Sequence, residues 1–141
     1  MTGDARLLKR LYRLERMRAI ARQEAAAVSA EAEAALTQIE ALAERTRRLS
    51  RDYAGKPVAA DGAALRSAAI YACGLRDVHA RTQTDADHAR QHADRKRTAL
   101  AEAERRRAAA DDRARRMGRQ LARGEQFLPT GTRKGFGTGL E

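Results

Sequence analysis

Apolar residues recur along this chain in alternating steps of three and four, in two separate stretches, and that rhythm limits what it can fold into. Leu7, Leu11, Leu14, Ala21, Ala25, Val28, Ala32, Ala35, Ile39, Leu42, Leu49 and Tyr53 keep the first beat, interrupted by Arg18 and Thr46. After Gly55-Lys56-Pro57 it resumes through Leu65, Ala68, Ala72, Leu75, Ala86, Ala89, Ala93, Leu100, Ala103, Ala110, Ala114, Met117 and Leu121. His79, Thr82, Lys96 and Arg107 are its polar exceptions. Two sustained heptad runs joined by one turn predict an all-α fold, a long two-helix antiparallel coiled-coil hairpin. Such a fold has little interior for a buried pocket, so mechanical or adhesive work fits it better than chemistry.

Punctuation residues set the expected bounds. Asp4 is a candidate N-cap for a first helix over about 5–53, stopped by Gly55 and Pro57. A turn over 54–60 leads to a second N-cap candidate, Asp61, and a helix over about 61–124. Gly74 and Gly118 lie inside that helix, each about 1 kcal/mol worse than Ala. The hairpin thus occupies 1–124. Residues 125–141, with Pro129, Gly131, Gly135, Gly137 and Gly139, read as a flexible tail.

The heptads also suggest a register. Aligning the layers sets Leu49 against Leu65, Leu42 against Ala72, Ile39 against Leu75, Val28 against Ala86, Leu14 against Leu100 and Leu11 against Ala103. Most layers pair a large residue with Ala, so each buries little area and the seam is weak per turn. Two oddities follow. Arg18 falls opposite Lys96, a like-charged layer whose side chains snorkel outward along their stems or else mark a weak point or a partner contact. Leu7 falls opposite Arg107, so the second helix would project past the first and leave Ala110, Ala114, Met117 and Leu121 as an unpaired stripe, a partner site or a dimer contact.

The net charge of +10 comes from 29 Lys and Arg against 19 Asp and Glu. Glu44–Arg48, Glu102–Arg106, Asp111–Arg115 and Asp112–Arg116 each set an acid four residues before a base, the orientation that supports a helix. No apolar run approaches the roughly 18 residues of a membrane span, and the N-terminus does not read as a signal peptide. A single cysteine, Cys73, forms no internal disulfide and agrees with a reducing cytoplasm.

Sites for chemistry are scarce. His88 and His92 stand four apart, but His-Ala-Arg-Gln-His lacks the zincin glutamate, and two solvated histidines are the simpler reading. Cys73 has no base placed to activate it. The tail's Gly-Thr-Arg-Lys-Gly-Phe-Gly does not keep phosphate-loop spacing. No carboxylate pair is set apart for acid–base work. The expectation is a non-enzyme without metal or cofactor.

The segment Leu7-Leu8-Lys9-Arg10-Leu11-Tyr12-Arg13-Leu14-Glu15-Arg16, running into Gln23-Glu24-Ala25-Ala26-Ala27, resembles the opening of FliJ-like flagellar export proteins. Tyr71, Leu75, Val78 and Thr82, spaced four, three and four, resemble a second pattern of that family. The chain departs from it in having fewer aromatics and a glycine-rich tail. The resemblance implies a short, basic, cytoplasmic coiled-coil hairpin acting as the central stalk of a type III export ATPase. It implies contacts with the export gate protein and with substrate chaperones, and peripheral membrane location only through those partners. On that reading Arg113, Arg116, Met117, Arg119 and Leu121 face the ATPase ring, and Tyr71, Leu75, Val78 and Thr82 face the gate. Two alternatives remain open. One is a generic coiled-coil adaptor that dimerises. The other is a basic nucleic-acid-binding hairpin using Arg105, Arg106, Arg107, Arg113, Arg115, Arg116, Arg119 and Arg123 on phosphates; interspersed acids and scarce stacking aromatics weigh against it, so no specific nucleic acid is expected.

Overall fold

The computed structural model describes residues 3–56 and 61–126. They form two helices, α1 (Gly3–Ala54) and α2 (Gly62–Gln126), with no strand among them. The helices pack on each other as an all-α helical hairpin, the expected fold class. The expected turn residues 57–60 and all of the expected tail except Glu125 and Gln126 lie outside the described residues.

Local chemistry explains the helix ends. Asp4 sits inside the first turn of α1, where its charge complements the exposed amides. The C-terminus of α1 closes with the Gly55 amide donating to the Arg51 carbonyl at 3.1 Å. Asp61 caps α2: its carboxylate accepts from the Ala64 amide at 2.7 Å, and its carbonyl accepts from the Leu65 amide at 3.1 Å.

The described chain divides into two compact units, residues 21–104 and residues 1–20 with 105–141. In the unit of 21–104, cross-helix contacts fix an antiparallel pairing. Arg22 meets Glu104, Glu33 meets Arg97, Glu40 meets Arg90, Thr46 meets Thr82, and the rings of Tyr53 and Tyr71 stand 4.5 Å apart. This register lies two heptads from the one read in the sequence, which would have set Thr46 level with Ala68. Heptad repeats are degenerate under shifts of seven, so apolar periodicity alone does not choose between such registers. Polar pairing does. In the observed register the seam threonines meet each other, and two arginines on one flank meet two glutamates. The expected Arg18–Lys96 layer does not form. Lys96 adjoins Arg97, whose guanidinium bonds Glu33, and so lies level with Ala32.

The seam of α1 is also turned relative to the expectation. Ala43 is 5% exposed while its neighbour Leu42 is 47% exposed, and Ser29 is buried while Val28 is not. Leu36 and Ser50 are likewise half-buried where Ala35 and Leu49 are exposed. The columns of Ala25, Ala32, Ile39, Thr46 and Tyr53 stay in the seam as expected. The reason is size. Ser29, Ala32, Ala43 and Thr46, with Thr82, Ala86 and Ala93 of α2, are the buried residues of this unit, and small side chains let two helix axes draw close. Bulkier Val28, Leu42 and Leu49 then lie along the edge of the seam. On α2 the observed seam follows the expected beat through Ala72, Leu75, His79, Thr82, Ala86, Ala89, Ala93, Lys96, Leu100 and Ala103.

In the other unit, Glu15 meets Arg107 at 3.6 Å, and a side chain at Gly118 would stand 3.7 Å from the Tyr12 hydroxyl. Ala110 and Ala114 are fully covered, and Met117 and Leu121 are half-buried. The expected bare stripe at this end is therefore corrected: the register brings the start of α1 over it. Within 21–104, Tyr53 near the end of α1 is level with Tyr71, and Leu65 and Ile70, which precede Tyr71 on α2, are exposed.

Candidate partner-docking surfaces

At the centre of the unit of 21–104 lies a polar layer. The Thr46 hydroxyl is 3.1 Å from the Thr82 hydroxyl and 3.3 Å from His79 Nδ1. Thr82 Oγ1 is also 2.9 Å from the His79 carbonyl, and Thr46 Oγ1 is 2.9 Å from the Ala43 carbonyl. Each hydroxyl has one proton: Thr46 donates to the Ala43 carbonyl and Thr82 to the His79 carbonyl, and either can instead turn its proton to the other hydroxyl across the seam. Among the described residues no buried side-chain polar atom lacks a partner. The layer is structural: it satisfies buried hydroxyls and specifies register.

The two flanks of this seam differ. One carries the ion pairs Arg97–Glu33 at 2.7 Å and Arg90–Glu40 at 3.0 Å, each guanidinium held more firmly protonated by its glutamate's hydrogen bond. These pairs are half-exposed, so they contribute to register more than to stability. The other flank is apolar. Val28, Ala35, Leu42 and Leu49 recur every seven residues on α1, and Tyr71 and Val78 stand seven apart on α2, whose column continues with Asp85 and His92. An open depression of about 420 Å³ there is lined by Leu49, Asp52, Tyr53, Lys56, Tyr71 and Leu75, with the Lys56 ammonium 5.7 Å from the Tyr53 ring. A side with exposed large apolar groups at heptad spacing has the form of a surface for another helix.

Of the four residues carried over for gate contact, Tyr71 and Val78 are exposed on this flank and Leu75 is half-buried at its base. Thr82 is buried against Thr46 and presents nothing outward.

The residues carried over for the ATPase ring divide likewise. Arg113, Arg116 and Arg119 are exposed, whereas Met117 and Leu121 are turned toward the seam. Arg116 bonds Asp112 at 2.8 Å and Arg115 bonds Asp111 at 3.1 Å. Arg113, Arg119 and Arg123 make no ion pair with a described residue. Arg116, Arg119, Gln120 and Arg123 line one open groove of about 310 Å³.

Charge is partitioned between the units, a feature hidden by the whole-chain total. Residues 3–20 and 105–126 carry fourteen Lys and Arg against five Asp and Glu, a net of +9. Residues 21–104 carry thirteen of each and are neutral. Counting charge by segment would have found this from sequence once the pairing of the chain's two ends was known.

Cys73 is exposed and free, and no cluster of three or more His, Cys, Asp or Glu suited to a metal occurs among the described residues. No described helix is long and apolar enough to cross a membrane. Compared with known proteins, the chain matches no family model, no curated protein and no solved structure.

Proposed function

We propose that this protein is a docking hairpin of a flagellar-type protein export apparatus, serving as the central stalk of the export ATPase and as a contact for the gate protein and substrate chaperones. The observation that carries the reading is the partition of charge. One unit is strongly cationic and contains both the start of α1 and the end of α2; the other is neutral with an apolar flank. A cationic helical pair suits the acidic inner surface of a ring, where long-range attraction steers entry. The apolar flank around Tyr71 and Val78 suits a second partner bound by buried area. The resemblance of residues 7–16 and 23–27 to FliJ-like proteins supplies the identity of these partners and places the work at the cytoplasmic face of the apparatus. The ring-facing set is narrowed to Arg113, Arg116, Arg119 and Arg123, since Met117 and Leu121 are engaged in the seam.

The test is ATP hydrolysis by the purified cognate ATPase. Wild-type protein should stimulate it. A variant with Arg113→Glu, Arg119→Glu and Arg123→Glu should not, while Arg45→Glu with Arg81→Glu, in the neutral unit, should leave stimulation intact. Hydrolysis unchanged by the wild type would end the stalk reading.

The apolar flank also favours a second reading, a generic adaptor that pairs with another copy through Leu42, Leu49, Tyr71 and Val78. Sedimentation equilibrium separates the two: a dimer lost in Leu42→Ser/Leu49→Ser supports the adaptor, and a monomer at all concentrations opposes it.

A further inference from the structure

The outward face of α1 over residues 6–20 adds its cations to the charged unit, and it also carries an exposed apolar pair that neither the seam nor the export reading uses. At 3.6 residues per turn, Arg6, Lys9, Arg10, Arg13, Arg16, Met17 and Ile20 fall within an arc of roughly 120°, opposite the seam side marked by Leu8, Leu11 and Glu15. All seven are exposed, and the five cations make no ion pair with a described residue. The one acid of this stretch, Glu15, is off the arc and turned toward Arg107, and Asp4 precedes it in the first turn. Met17 is 62% exposed and Ile20 52%. They stand three residues apart, so they are neighbours on the helix surface.

We infer that this face binds an anionic lipid bilayer directly, with the five cations over the headgroups and Met17 and Ile20 entering the acyl boundary. Charge complementarity selects an anionic partner, since each Lys or Arg near such a surface contributes to attachment and clusters of four to eight suffice. The apolar pair selects lipid over nucleic acid, because exposed Met and Ile gain nothing beside phosphates in water but gain burial at a bilayer surface. The flat, acid-free arc on a single helix suits a planar surface. The face belongs to α1 alone and needs no protein partner; it shares the cationic unit with the stalk proposal, whose ring-facing arginines are those of α2, so the two fail separately.

Vesicle co-sedimentation of the full chain tests it, using phosphatidylcholine vesicles with or without about 30 per cent phosphatidylglycerol at about 0.1 M salt. The wild type should partition only onto the anionic vesicles. Arg10→Glu/Arg13→Glu should weaken partitioning by at least about 30-fold. Met17→Ser/Ile20→Ser should weaken it by about 3-fold or more while leaving binding to a short DNA duplex unchanged. Circular dichroism checks that both variants keep wild-type helicity; these side chains lie off the seam and the fold should hold. Absence of partitioning by the wild type would overturn the inference. So would vesicle binding by the serine variant equal to the wild type, which would reduce the face to a general attractor of polyanions.

Discussion

Enlarging Ala43 should harm this protein more than truncating the leucine beside it. Ala43 is almost wholly covered in the seam, whereas Leu42 is about half exposed at its edge. Removing three carbons at about 0.8 kcal/mol each from a half-buried side chain gives Leu42→Ala a cost of about 1 kcal/mol. Ala43→Leu forces the same three carbons into a space filled by close-set helices, and overpacking of that kind costs about 1–3 kcal/mol. The order would be reversed if the larger column, Leu42 with Val28 and Leu49, formed the seam. Leu42→Ala would then cost about 2–5 kcal/mol, and Ala43→Leu would be near neutral on the surface. Urea unfolding followed by far-ultraviolet circular dichroism measures both. A Leu42→Ala loss above about 2 kcal/mol together with a neutral Ala43→Leu would refute the small-residue seam.

Three further outcomes follow from the same packing. Thr82→Val should cost up to about 1 kcal/mol by removing the cross-seam partner of the Thr46 hydroxyl, which keeps the Ala43 carbonyl, while the double change Thr46→Val/Thr82→Val should cost less than the two single changes together; a urea double-mutant cycle reads the coupling. Gly74→Ala should stabilise by up to about 1 kcal/mol, because a side chain there meets open space in a helix interior, and thermal melting measures it. Glu44 is held down to about 2 from an ordinary 4.5 by hydrogen bonds first from Arg47 and then from Arg48. Its folded value lies below the unfolded one, so its stabilisation is full above about pH 4.5 and is lost as pH falls through about 2; Glu44→Gln should flatten stability across that window in acid titration of unfolding.

The two helices, with the close of α1 at Gly55 and the start of α2 at Asp61, were legible because heptad periodicity and these punctuation residues act locally. The Asp61 cap, and the pairs from Glu44 to Arg48, Asp111 to Arg115 and Asp112 to Arg116, formed as their spacing required. Register was not legible from apolar spacing, since a shift of fourteen residues keeps every layer on the beat. The signal lay in the exceptions: Thr46, His79 and Thr82 interrupt the beat, and a seam that must bury them gains by bringing them together. The turned seam of α1 was hidden because apolar residues fill the column of Val28, Leu42 and Leu49, whereas the seam column holds Ser29, Leu36, Ala43 and Ser50, whose serines do not read as seam residues. Both errors propagated to the surfaces. The overhang at Met117 and Leu121 vanished with the register, and Thr82 left the exposed set because its hydroxyl is needed inside.

Which faces remain for partners depends on which residues of α1 and α2 oppose each other, so the pairing is the claim on which the account rests. Disulfide trapping in a Cys73→Ser background tests it most directly. With Thr46→Cys and Thr82→Cys, whose native hydroxyls stand 3.1 Å apart, mild oxidation should give a rapid and nearly complete intramolecular bond. With Leu42→Cys and Ala72→Cys, the pair set by the alternative register, it should give none. Bonding of the second pair and not the first would contradict the register, and with it the covered end of α2 and the apolar flank.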